Sequence, residues 1–132
     1  SFALLFAINF SVLSEELNCT CLKYERTFHI VLVGEPSSLE TTLIKGCKEL
    51  PSRVIEVDDG FFKDGYYNSP NRIIYETNTS VNSVYNPNPN DTWEYFFNKK
   101  TGRLRIYQKG RPDPKAVGLD AWNVGEYIYQ CK

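Results

Sequence analysis

The sequence predicts an α+β fold: one α-helix packed on an antiparallel, curved β-sheet and held by two disulfides. Three observations predict it. The segment from Ser37 to Leu50 carries start and stop signals for a helix, the chain beyond Pro51 reads as short strands broken by turn residues, and the four cysteines form an even set. At 132 residues, with 42% apolar and 14% aromatic side chains, the chain can bury one core and is too short for two ordinary domains.

Phe2 to Leu13 (FALLFAINFSVL) carries no charge and gives way to Ser14, Glu15 and Glu16. Such a stretch is too short to cross a bilayer as a helix, which takes about twenty residues. It matches the apolar region of a secretory signal peptide, with Val12 and Ser14 at the small-residue positions of a cleavage site. Residues 1–14 are therefore expected to be a signal-peptide remnant. Residues 15–132 are expected to form a single secreted, monomeric domain with no membrane segment in its mature form.

Glu25 to Val33 (ERTFHIVLV) is a strand candidate rich in β-branched residues that ends at Gly34. In the helix after it, Ser37 and Glu40 form a capping box, Pro36 helps to break the preceding strand, and Pro51 ends the helix. Leu39, Leu43, Ile44, Cys47 and Leu50 fall on one helical face. Arg53 to Val57, Arg72 to Thr77, Thr92 to Asn98, Arg103 to Tyr107 and Glu126 to Cys131 are the later strands. Asn98 to Gly102 is a hairpin connection, with Gly102 in the left-handed position. Asn78 to Asp91 (NTSVNSVYNPNPND) reads as a polar Asn/Pro loop.

In a short chain expected to be secreted, Cys19, Cys21, Cys47 and Cys131 suggest two disulfides. Cys19 and Cys21 are not expected to bond each other; one should pair with Cys131 and the other with Cys47. The spacing C-x-C, with no second close pair, does not suit zinc. Nothing in the sequence requires a metal or a cofactor. Sequons at Asn18, Asn78 and Asn90 are candidate glycosylation sites compatible with the secretory route.

His29, the single histidine, lies inside an apolar strand run with no local group to activate or orient it, so it reads as structural. Asp58-Asp59 precedes Gly60 and reads as turn chemistry rather than a catalytic pair. The net charge of −1 excludes a uniformly basic nucleic-acid binder, yet Lys99 to Lys115 holds seven basic residues against Asp113. That segment carries +6 and leaves −7 for the remainder. Arg103 and Arg105 alternate with Leu104 and Ile106, so a strand would aim both guanidinium groups at one face, extended by Tyr107. Lys99, Lys100, Arg103, Arg105, Tyr107, Lys109 and Arg111 thus form a candidate surface for RNA or a protein partner. The simpler alternative is a solvated strand face salt-bridged to the acidic N-terminal half.

The order of these elements resembles the fungal guanyl-specific ribonuclease fold, and especially the RNase-like secreted effectors of powdery mildew fungi. The likeness rests on a Cys-bearing N-terminal segment, a single helix with its own Cys, and Val57 to Phe62 (VDDGFF) as the acidic-Gly-Phe segment. It continues through Arg72 to Glu76 (RIIYE), Thr92 to Leu104 (TWEYFFNKKTGRL), and Gly125 to Cys131 (GEYIYQC) as the closing strand. Leu17-Asn18-Cys19 departs from the effectors' aromatic-x-Cys start. The catalytic set departs further. Arg53 stands near the position of the first His, a Glu falls near Tyr75 or Glu76, Glu94 replaces an Arg, and Gln108 or Lys109 stands where the second His would be. The resemblance implies a non-catalytic virulence effector of a fungal pathogen, possessing the ribonuclease scaffold and binding host RNA or protein. A secreted β-rich carrier or inhibitor of lipocalin-like build is the alternative, supported by nine Tyr, eight Phe and two Trp. An active ribonuclease using Glu76 and Lys109 is a third reading.

Overall fold

The computed structural model describes residues 15–32, 38–50, 52–111 and 120–132. Among the described residues, nine strands form one antiparallel sheet: β1 (Glu15–Leu32), β2 (Ser38–Lys45), β3 (Arg53–Asp58), β4 (Phe61–Asp64), β5 (Arg72–Glu76), β6 (Ser80–Asn88), β7 (Asp91–Asn98), β8 (Arg103–Gly110) and β9 (Asp120–Cys131). The spatial order is β4-β3-β1-β9-β8-β7-β6-β5, with β2 also paired to β1. The two ends of this order approach each other. Asn71, just before β5, donates its N–H to the Phe62 carbonyl of β4 at 2.8 Å, and its Nδ2 to Ser83 Oγ at 3.0 Å. The sheet is thus nearly closed into a barrel, which removes most of its exposed edge.

β1 organises the architecture. One edge pairs with β9 over most of its length, and the other has two successive partners: β3 opposite Glu15–Cys19 and β2 opposite Glu25–Leu32. A register shift between Cys21 and Lys23 marks the place where the partner changes. Cys21 bonds Cys47 there, and Gly46 donates its N–H to the Tyr24 carbonyl at 2.9 Å. Cys19 bonds Cys131, joining the first strand to the last. Both bonds follow the pattern expected from the sequence, and the structure assigns which cysteine takes which partner.

Alternation places the core on the concave side, as period-2 side chains require. Ile55, Phe62, Tyr95, Leu104 and Ile106 have no exposed surface, and Tyr127 and Tyr129 are buried beside them. Phe62 packs against Tyr95 and Phe97 at centroid distances of 5.5 and 6.2 Å. Asp64 is also fully buried. It accepts hydrogen bonds from the Arg53 guanidinium, from Tyr95 OH at 2.5 Å and from the Tyr66 N–H at 3.0 Å.

The α+β expectation is overturned: no α-helix occurs among the described residues, and the fold is nearly all β. Where a helix was expected there is strand β2, followed by a single 3-10 turn at Cys47–Glu49. β3 covers only the start of β1 on that edge, so the β-branched run Thr27–Leu32 offers unpaired backbone that Ser38–Lys45 can satisfy. Thr41, Thr42 and Ile44 suit a strand, and pairing overrides the amphipathic helical period. Leu39, Leu43 and Ile44 are consequently exposed rather than forming a buried stripe. The Asn78–Asp91 loop is likewise corrected, because β6 fills most of it between β5 and β7. The stretch 1–14 expected to be a signal-peptide remnant, the expected helix cap Ser37 with Pro36, the expected stop at Pro51, and Asp113 and Lys115 of the basic run lie outside the described residues.

Candidate nucleic-acid interface

β8 separates two chemistries by alternation. Leu104, Ile106, Gln108 and Gly110 point into the core, while Arg103, Arg105 and Lys109 are exposed and Tyr107 is half-buried on the outer face. The hairpin that positions this strand is fixed by Asn98, whose Oδ1 accepts from the backbone N–H groups of Lys100 at 2.9 Å and Thr101 at 3.0 Å. Gly102 closes the turn at φ +74° and donates its N–H to the Asn98 carbonyl at 2.9 Å.

Arg103, Arg105, Tyr107 and Lys109 therefore form one row. Arg103 Nε donates to Gln130 Oε1 at 3.2 Å. Arg105 hydrogen-bonds Tyr107 OH, with its guanidinium carbon 5.2 Å from the Tyr107 ring centroid. Phe96, opposite Arg105 on β7, meets Tyr107 edge-on at 5.9 Å. Arg103 and Arg105 also line a groove of about 710 Å³ with Tyr75, Asn82 and Phe96. A register shift between Ile73 and Tyr75 lies on β5 at this groove, where Tyr75 is 62% exposed.

Among the described residues, Arg103, Arg105 and Lys109 form no ion pair; the four that occur are Lys23–Glu126, Lys45–Glu25, Arg53–Asp64 and Lys99–Glu76. The acidic residues nearest in register are Glu94 and Glu126, both opposite Tyr107, and Glu126 is held by Lys23 at 3.2 Å.

The remaining basic candidates sit apart. Lys99 is bound to Glu76 at 2.8 Å, and Lys100 is exposed in the hairpin turn. Arg111 follows the far end of β8, its guanidinium 5.8 Å from the Trp122 ring. Sequence reasoning missed Tyr75, Asn82 and Phe96. The alternation of β7 could have indicated Phe96, since a strand that buries Tyr95 and Phe97 must present it outward.

His29 lies on β1 opposite Thr41 of β2. Its Nδ1 lies 3.2 Å from Thr41 Oγ1 and its ring stacks on Trp122 at 4.9 Å. Asp58 Oδ1 accepts the Asp59 N–H at 2.8 Å in the turn at Gly60 (φ +70°). Glu76 accepts from Lys99 Nζ and from the Gly60 N–H at 2.9 Å, and the Lys99 hydrogen bond is the main reason its pKa lies below the ordinary carboxylate value. Glu76 is aligned through Val81 and Phe97 with Leu104, whereas Lys109 is opposite Thr92. Five residues of β8 separate those levels, about 17 Å at the usual strand rise. The structure does not bring Glu76 and Lys109 together. Arg53 is buried beside Asp64, Tyr75 lies in the groove, and Gln108 faces the core away from Lys109.

Fold and face together define a nearly closed antiparallel β-barrel with a basic, aromatic outer row and two disulfides. In comparison with known proteins, no family model, curated protein or solved structure matches the chain.

Proposed function

We propose that this chain is a secreted, non-catalytic binding protein of effector type that engages single-stranded RNA of a host through the outer face of β8. The observation that carries this reading is the row Arg103, Arg105 and Lys109, without ion pairs among the described residues and flanked by Tyr107, Phe96 and Tyr75. Guanidinium groups provide phosphate contacts and exposed rings provide stacking surfaces, a combination suited to unpaired bases. The separation of Glu76 from Lys109, and the placing of the His29 ring against Thr41 and Trp122 rather than an acidic group, support a role without catalysis. Secretion is supported by the two disulfides, which persist in oxidising compartments, and by Asn18, Asn78 and Asn90, all exposed to solvent.

The test is binding of a labelled single-stranded RNA to the disulfide-bonded chain across a salt series, with RNA integrity checked by gel. Three phosphate contacts give a logarithmic salt slope of about −2 for a single strand. Charge reversal in R103E/R105E should abolish most binding and flatten the slope by about 1.4. Unchanged affinity and slope in that variant would remove the RNA reading, and turnover of RNA by the wild-type chain would remove the non-catalytic one.

A further inference from the structure

A second cavity lies on the concave side, independent of the β8 face. Its volume is about 540 Å³, within the range of small-molecule sites, and it is lined chiefly by Arg26, Arg53, Tyr66, Tyr67, Trp93 and Tyr127. The rings define flat walls. Tyr67 stands edge-on to Tyr66 at 5.1 Å and to Trp93 at 6.0 Å, and Trp93 lies 5.4 Å from Tyr127. Tyr85 supports Tyr67 from behind at 4.3 Å.

The two guanidinium groups are not equivalent. Arg53 is neutralised by Asp64 and enclosed by Tyr66, Trp93, Tyr127 and Tyr129, whose centroids lie 5.5–5.9 Å from its guanidinium carbon. Arg26 forms no ion pair among the described residues. Its Nη2 donates to Asn123 Oδ1 at 3.0 Å, while its Nε–H is buried without a hydrogen-bond partner among them. A buried donor left unsatisfied is costly, and a ligand acceptor would relieve that cost. Among the described residues, the cavity lining contains no carboxylate. Tyr67, its pKa pushed up by burial to about 12, keeps a neutral hydroxyl that can donate at physiological pH.

We propose that this cavity binds a flat aromatic molecule carrying one anionic group, with the ring against Trp93 and Tyr67 and the anion on Arg26. One anionic group suffices because Arg53 already has its counter-charge in Asp64. The aromatic walls select a ring over an aliphatic chain, since face and edge contacts reward a planar π-system. An anion on the guanidinium gains a charge-assisted hydrogen bond that a neutral isostere lacks.

The experiment is calorimetric titration of the disulfide-bonded chain with 2-naphthoate and, separately, with the neutral isostere 2-naphthamide. Naphthoate should bind saturably and at least tenfold more tightly than the amide. The R26M variant should lose that preference, while R103E on the outer face retains it. A direct readout on the unaltered protein is the Arg26 Nε–H resonance in a ¹H–¹⁵N spectrum, which should shift with naphthoate and, at equal concentration, far less with naphthamide. Equal affinity for acid and amide, no saturable binding of naphthoate, or an unmoved Arg26 Nε–H would each overturn the proposal.

Discussion

Replacing Asp64 by alanine should be among the most damaging single substitutions in this domain. The carboxylate is fully buried and satisfies three donors at once: the Arg53 guanidinium, the Tyr95 hydroxyl and the Tyr66 N–H. Its loss leaves the Arg53 charge, on a side chain only 11% exposed, without a counter-ion. Breaking a buried pair by removing one partner costs about 3–5 kcal/mol. The Tyr95 hydroxyl, also fully buried, loses its acceptor, which costs about 1–3 kcal/mol when counted alone. Because the two effects share one site they do not add, and about 4–6 kcal/mol is the expected total. A domain of this kind has about 5–15 kcal/mol in all, so D64A should be close to unfolding. D64N keeps an acceptor for Tyr95 and Tyr66 but removes the charge. The double variant R53M/D64N removes the stranded guanidinium as well, and should recover at least about 2 kcal/mol relative to D64N. Urea unfolding followed by tryptophan fluorescence, disulfides intact, measures all three. A cost below about 1 kcal/mol for D64A, or a double variant no more stable than D64N, would refute this reasoning.

Three further outcomes are expected of the same structure. In the chain-entropy description, removing Cys19–Cys131, with a sequence separation of 112, should cost about 4.8 kcal/mol; removing Cys21–Cys47, with a separation of 26, should cost about 3.5. Paired Cys→Ser variants in thermal unfolding check that order. G102A should destabilise by about 2 kcal/mol or more, because φ is +74° and an added Cβ would collide with the Cys131 carbonyl oxygen; G60A, at φ +70° with open space around it, should lose only about 1 kcal/mol. The folded-state pKa of Glu76 is lowered, so its contribution is present above the unfolded carboxylate pKa and is lost as pH falls through the folded one. E76Q should therefore be less stable than the parent chain by up to about 1 kcal/mol at neutral pH, with the gap closing in acid, as a pH series of urea midpoints would show.

The elements that can be read from the sequence are those whose partners are adjacent. Arg103 to Tyr107 alternates cleanly and pairs with β7 through a turn whose Asn98 and Gly102 are visible in the chain, so both strand and facing are legible. Ser38 to Lys45 is not. Leu39, Leu43 and Ile44 fit a helical stripe, and only the vacant edge of β1, created by the short reach of β3, turns the segment into a strand. Asn78 to Asp91 reads as a loop because Pro87 and Pro89 hide the inward residues Val81, Ser83 and Tyr85; Pro87 falls where the β6–β7 register slips between Tyr85 and Asn88, and Pro89 lies in the turn that follows β6. The Arg53–Asp64 pair joins β3 to the end of β4, and the chain between gives no sign that the two side chains share a buried site.

The measurement closest to the central claim is a ¹H–¹⁵N titration of the disulfide-bonded chain with a single-stranded RNA of about eight nucleotides. An RNA-binding β8 face predicts intact RNA and shifts concentrated at Phe96, Arg103, Arg105, Tyr107 and Lys109, with Arg26 and Tyr67 unmoved. RNA cleaved in the tube, or shifts absent from β8, would contradict it.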